Sequence, residues 1–243
     1  MRKPMSTQPE TALLVNNLTK AYGSHVALKG INLSISSGES VVVLGPNGAG
    51  KTTLIKILST IMNPSSGDVS VNGLSLKENA EGIRRSIGVV THQAYLYHNL
   101  TIYENLAFYC RMYDMPAAKI DEKAGMVGMG HRLHDRVGTL SRGMLQRVSI
   151  ARALLHEPSI MLLDEPETGL DQQAIAMLWG LLRGGSGNQR TVVMTTHNLE
   201  HGLNQADRIV IMNRGRIVLE QPSKGLDLAG LKDIYHGATG LEL

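Results

Sequence analysis

Gly45-Pro46-Asn47-Gly48-Ala49-Gly50-Lys51-Thr52-Thr53 is the stretch from which the rest of the chain can be read. It follows the apolar run Val41-Val42-Val43-Leu44 and precedes Leu54, Ile55, Ile57 and Leu58 at helical spacing. That is the strand, glycine loop and helix context that gives G-x-x-x-x-G-K-[ST] its meaning. Gly45, Gly48 and Gly50 let successive N–H groups turn into one concavity that binds phosphate oxygens. A helix starting near Lys51 adds the partial positive charge of its N-terminus. The Lys51 ammonium is then expected on the β- and γ-phosphates, and the Thr52 hydroxyl on Mg²⁺. The loop by itself identifies a nucleotide phosphate and leaves open what the energy does.

The bulk properties narrow the choices. A chain of 243 residues fits one large α/β domain or two small ones. The net charge of +3, with no Lys/Arg block, gives no basis for nucleic acid as a partner. Cys110 is the single cysteine, so no intrachain disulfide can form, and a reducing compartment fits. Residues 1–10 read as a disordered polar tail rather than a signal peptide. The longest apolar runs, such as Val41–Leu44 and Ile160–Leu163, fall far short of the roughly 18 residues of a spanning helix. The chain is expected to be soluble by itself, so any work at a membrane needs a second chain that spans it.

Outward from the loop, strands are expected at Ala12–Leu18 and Val26–Ile35, with Tyr22 on the turn between them. Such an aromatic is read either as an adenine-stacking ring or as a packing tyrosine. Strands at Gly67–Val71 and Ile87–Val90 flank a helix near Ala80–Arg85. Gln93 follows the second strand, where a glutamine leans towards Mg²⁺ or water, or is simply solvated. Between Tyr95 and Tyr113 lie six of the nine aromatic residues, which sets this segment apart as a helical subdomain with helices at Thr101–Tyr113 and Ala117–Val127. The cluster packs that subdomain or forms a groove for a partner helix.

Ser141 in Leu140-Ser141-Arg142-Gly143-Met144 is an expected N-cap of an amphipathic helix through Leu155. This is a second phosphate-ready terminus, and its simplest use is the nucleotide of another copy of the chain. Ile160-Met161-Leu162-Leu163-Asp164-Glu165 reads as a buried strand ending in two carboxylates. Asp164 suits Mg²⁺, and Glu165 suits polarising water. Adjacency on a strand is expected to point the two side chains to opposite sides. Gly169-Leu170-Asp171 follows, with Asp171 another N-cap candidate. Thr191–Thr196 is a strand ending in His197. His197-Asn198-Leu199-Glu200-His201 matches H-x-x-E-H, but zinc is rejected, because His197 ends an apolar strand instead of sitting mid-helix. Arg208–Met212 and Arg216–Leu219 make a hairpin around Asn213-Arg214-Gly215, and Leu226–Tyr235 a terminal helix.

Taken together, the phosphate loop, Gln93, LSRGM at 140–144, MLLDE at 161–165, GLD at 169–171 and His197 resemble the ATP-binding-cassette (ABC) family of ATPases over about residues 12–220. The resemblance implies an α/β P-loop NTPase core with an antiparallel β subdomain and an inserted helical subdomain at about 95–155. Residues 11–243 would then form one nucleotide-binding domain. It further implies ATP and Mg²⁺ as cofactors, a head-to-tail dimer of two copies, an integral-membrane permease subunit and a peripheral place on the cytoplasmic face of the cell membrane.

By matching position, Tyr22 would stack on adenine, and Lys51, Thr52 and Thr53 would hold phosphates and Mg²⁺. Gln93 would sense Mg²⁺ and water and link to the membrane partner. Ser141 and Gly143 would bind the γ-phosphate of the opposite subunit. Asp164 would hold Mg²⁺, Glu165 would be the general base, Asp171 would cross the dimer and His197 would contact the γ-phosphate. The usual LSGGQ departs here to LSRGM, which keeps Ser141 and Gly143 but weakens the polar contacts made by the first Gly and the Gln. That form, with Asn99-Leu100-Thr101 and Glu104-Asn105-Leu106, is similar to the haem-exporter ATPases of cytochrome c maturation, with drug and polysaccharide exporters close behind. A soluble assembly ATPase acting on a cytosolic scaffold is the rival reading. A DNA-repair ATPase is disfavoured, because only about ninety residues separate Lys51 from Ser141, leaving no room for a long coiled coil.

Overall fold

The computed structural model describes residues 10–167, 170, 172–183 and 190–240. The expected disordered tail at 1–10 lies outside the described residues except for Glu10, and Asp171 lies outside them altogether. The chain begins with a long hairpin, β1 (Thr11–Tyr22) and β2 (His25–Ser36), followed by β3 (Ser40–Leu44), the phosphate loop and α1 (Lys51–Leu58). Then come β4 (Ser66–Val71), β5 (Leu74–Ser75), α2 (Ala80–Ser86) and β6 (Ile87–Val90). Helices α3 (Ile102–Met112), α4 (Ala118–Met126) and α5 (Arg142–Leu154) pack on one another. The chain returns through β7 (Ile160–Asp164), α6 (Gln172–Arg183), β8 (Thr191–Thr195) and α7 (Leu199–Gln205), and closes with β9 (Arg208–Asn213), β10 (Arg216–Pro222) and α8 (Leu228–Thr239).

Two sheets result. The antiparallel one runs β2-β1-β4-β5 and the larger one β10-β9-β3-β8-β7-β6, parallel except where β10 pairs with β9. The central strands are apolar almost throughout because both faces are covered. In β3, Val41 and Val43 pack into the core shared with β1, β2 and α1, while Val42 and Leu44 pack towards the helical side. Ile160 and Leu162 of β7 divide from Met161 and Leu163 in the same way.

The helical segment starts where the sequence predicts, because Thr101 and Glu104 form a reciprocal capping box at the start of α3. Ser141 caps α5 as expected, its hydroxyl accepting from the Met144 N–H at 3.4 Å. Some boundaries differ: β10 runs to Pro222 instead of Leu219, α8 spans Leu228–Thr239 instead of Leu226–Tyr235, and β1 runs on to Tyr22, so this residue ends a strand and the turn falls at Gly23-Ser24. Pairing with β2 up to Tyr22↔His25 draws the polar Thr19–Tyr22 segment into the ladder. No helix among the described residues is long and apolar enough to cross a membrane.

Candidate functional site

The site forms where β3, β7 and β8 end on the same edge of the parallel sheet, the usual place for ligands in open α/β sheets. The loop after β3 needs glycine for two separate reasons. At Gly45 (φ 151°) a Cβ would lie 2.2 Å from the Met212 carbonyl oxygen, so close packing excludes a side chain. Gly48 (φ 78°) faces open space, and there it is the left-handed backbone that favours glycine. Asn47 to Thr53 line a cleft of about 250 Å³ together with Tyr22, His25, Ala27 and Glu165.

Lys51 is the buried cation of this cleft, at 6% exposure. Its ammonium donates to the carbonyls of Gly45 at 2.6 Å and Pro46 at 3.1 Å. Burial pushes its pKa down, and the carboxylates of Glu165 and Asp164 partly offset this. Asp164 is 2% exposed, and its Oδ1 accepts from the hydroxyls of Thr52 at 3.1 Å and Thr195 at 2.6 Å. The register of β7 on β8, which pairs Asp164 with Thr195, creates the second contact.

Glu165 does not continue the strand alternation. Its φ is 50°, in the left-handed region, and its N–H is shared between the Thr195 carbonyl at 3.1 Å and hydroxyl at 3.2 Å. The separation of the Asp164 and Glu165 side chains therefore comes from a backbone reversal held by Thr195, which corrects the simple alternation argument. Glu165 Oε2 lies 3.7 Å from Nδ1 of the exposed His197. It also lines a second hollow of about 260 Å³ with Glu167, Ile175, Thr196, His197, Asn198 and His201, so it stands between the two.

The remaining residues sort by position. Tyr22 is exposed at the cleft mouth, its hydroxyl 2.8 Å from Met62 Sδ and its ring 5.3 Å from the Lys20 ammonium. Gln93 is exposed and does not line the cleft. It is His92 beside it whose Nδ1 comes within 4.0 Å of Asp164 Oδ2. Ser141 and Gly143 do not line the cleft either. Sequence reasoning passed over His92, Thr195 and Glu167, although a hydroxyl residue at the end of an apolar strand such as β8 was a visible signal for Thr195. His201 stands 3.3 Å from Glu167. Asn198 caps α7, so the H-x-x-E-H spacing begins at a strand end and enters a short helix.

The donor set suits Mg²⁺. Asp164 and Thr52 offer hard oxygens side by side, and Asp164 Oδ2 has no hydrogen bond among the described residues, only the more distant His92 ring.

The fold is that of a nucleotide-binding cassette, and the comparisons agree. The chain belongs to the ABC transporter family, whose model matches residues 28–168. It is 36% identical to a daunorubicin resistance ATP-binding protein of Streptomyces coeruleorubidus, covering 87% of this chain and 68% of that protein. A Nod factor export ATP-binding protein of Burkholderia orbicola (strain AU 1054) is 35% identical over 84% of this chain and 68% of its own length. Among solved structures, an ATP-binding cassette in a dimeric post-hydrolysis state bound to ADP and Pi superposes with a TM-score of 0.80. It is 30% identical, over 88% of this chain and all of that one. The chain is therefore an ATP-binding ABC-type ATP hydrolase.

Proposed function

We propose that this chain is the ATP-hydrolysing motor subunit of an exporter of the drug or Nod-factor kind, seated peripherally on the cytoplasmic face of the membrane against an integral-membrane permease. The names of the relatives support the exporter class. They lend no support to haem export or cytochrome c biogenesis, although the LSRGM resemblance pointed that way. The observation that carries the reading is the convergence of Lys51, Thr52, Asp164, Glu165 and His197 on one sheet edge.

In this reading the N–H groups of Gly45 to Thr53 and the Lys51 ammonium hold the phosphates, and Tyr22 stacks on adenine. Thr52 and Asp164 would hold Mg²⁺, with Gln93 as a further ligand, and the ion would supply neutralising charge on the phosphate oxygens. Glu165, aimed by its left-handed backbone, takes the proton of the attacking water, and His197 orients that carboxylate and contacts the γ-phosphate. ATP is cleaved to ADP and phosphate. Ser141 and Gly143 lie outside the cleft, which supports their use on the nucleotide of a second copy in a head-to-tail dimer, with Asp171 across the same interface. The dimeric solved relative supports this arrangement.

The test is calorimetry on Lys51→Ala. Losing a charge-assisted contact to the phosphates weakens ATP binding by about 10- to 100-fold. Equal affinity in variant and wild type would contradict the phosphate-loop assignment.

A further inference from the structure

A second carboxylate and imidazole face one another beside Glu165 and His197. Glu167 and His201 bring Oε2 and Nδ1 within 3.3 Å. Both pairs line the hollow of about 260 Å³ that adjoins the phosphate cleft, together with Thr196, Asn198 and Ile175. The His197-Asn198-Leu199-Glu200-His201 spacing, which holds no zinc reading, thus has an acidic counterpart in Glu165-Pro166-Glu167 on the loop opposite.

The two pairs differ in burial. The side chains of Glu165 and His197 are 36% and 71% exposed and stand 3.7 Å apart. An exposed pair at that distance does little to hold its own geometry. Glu167 is 12% exposed, and its Oε1 and the Nδ1 of His201 are both buried with no hydrogen bond among the described residues. Separating two such groups would leave each without its nearest counter-group in a site closed to water, so the fold keeps them face to face.

Glu167 joins the loop that carries Glu165 to the segment that carries His197. Glu165 has its φ at 50°, a conformation that persists only where the surroundings over-determine it. Thr195 holds the Glu165 N–H, and Gln146 of α5 donates to the Pro166 carbonyl at 3.0 Å. Glu167 is the next fixing point. Its Oε2 accepts from the Thr196 hydroxyl at 3.3 Å, and that hydroxyl accepts from the Asn198 N–H at 3.0 Å. Both neighbours of His197 therefore belong to one network. The Asn198 side chain accepts from the His201 N–H at 3.0 Å, which fixes the first turn of α7 to the same network.

We propose that His201, acting through Glu167, is a positioning residue for hydrolysis: the buried pair sets how far the Glu165 carboxylate stands from His197 and from the attacking water. The assignment rests on the reading of Glu165 as the base. Glu167 and His201 do not line the phosphate cleft, so their loss leaves ATP binding intact. It acts on the chemical step, where a small misplacement of the base is costly.

The experiment compares kcat, KM and ATP affinity in the full chain and its variants, the affinity also reporting that each variant is folded. His201→Phe keeps a ring of similar shape without the nitrogen, and kcat falls about tenfold while KM and ATP affinity stay within about twofold. His201→Asn places an amide nitrogen near the position of Nδ1 and recovers most of the rate. Glu167→Leu loses a similar factor, and the double variant Glu167→Leu/His201→Phe falls no further than either single one, because the two act as a pair. A wild-type kcat in His201→Phe, a loss that appears equally in ATP affinity, or losses that multiply in the double variant overturn the proposal. Glu165→Gln is the control: if it is inactive while His201→Phe is normal, this proposal alone fails. If Glu165→Gln itself turns over near the wild-type rate, the base assignment fails and this proposal with it.

Discussion

The Asp164 carboxylate is nearly inaccessible, yet one of its oxygens accepts two hydroxyls while the other has only a distant imidazole. An amide keeps an oxygen for Thr52 and Thr195 but loses the charge. Asp164→Asn should therefore fold normally and lose most of the gain in ATP affinity that Mg²⁺ confers. ATP titrations with Mg²⁺ and with chelator measure that gain, and an undiminished difference in the variant would contradict the metal role. At this scale the sequence is legible where contacts are local. The phosphate loop, Asp164 and Glu165 announce themselves by residue type and flanking pattern. Thr195 and His92 do not, because they reach Asp164 only through strand register and loop path. Nor does the left-handed φ of Glu165, since nothing in Leu163-Asp164-Glu165 marks a reversal.

Among the elements, half-buried His156, just past α5, bonds the Ile87 carbonyl at the start of β6, and burial favours its neutral form. Its pKa is lowered in the folded chain, whereas in the unfolded chain it lies near about 6.5. Between those values the unfolded state binds the extra proton, so this contribution is present above about pH 6.5 and is lost as pH falls. Urea unfolding at pH 7.5, 6.5 and 5.5 should show a stability loss on acidification that is smaller in His156→Gln. Identical slopes would contradict the assignment. Most element positions were readable, because caps such as Thr101 and Ser141 and the apolar central strands are local signals. The end of β1 was not, since pairing with β2 overrides the polar, turn-like composition around Tyr22. The role of the aromatic segment is not legible for a related reason: packing and docking need the same residue types, and only their exposure separates Phe108 from Tyr109.

For the whole molecule, the proposed function divides the site between two copies, to be completed by dimerisation. Ser141 is exposed, at the start of α5, outside the phosphate cleft. Ser141→Arg puts bulk where a second copy's γ-phosphate must dock, so ATP should still bind the monomer but no longer drive dimer formation on a sizing column. Normal dimerisation would contradict the shared site. The most direct test of the central claim is Glu165→Gln at saturating Mg-ATP, with hydrolysis and oligomeric state measured on the same sample. Glutamine keeps the shape and the hydrogen-bonding capacity but cannot take the proton. Hydrolysis should fall by about 10²–10⁴-fold while ATP stays bound and the dimer accumulates. Turnover near the wild-type rate with no accumulating dimer would contradict the account.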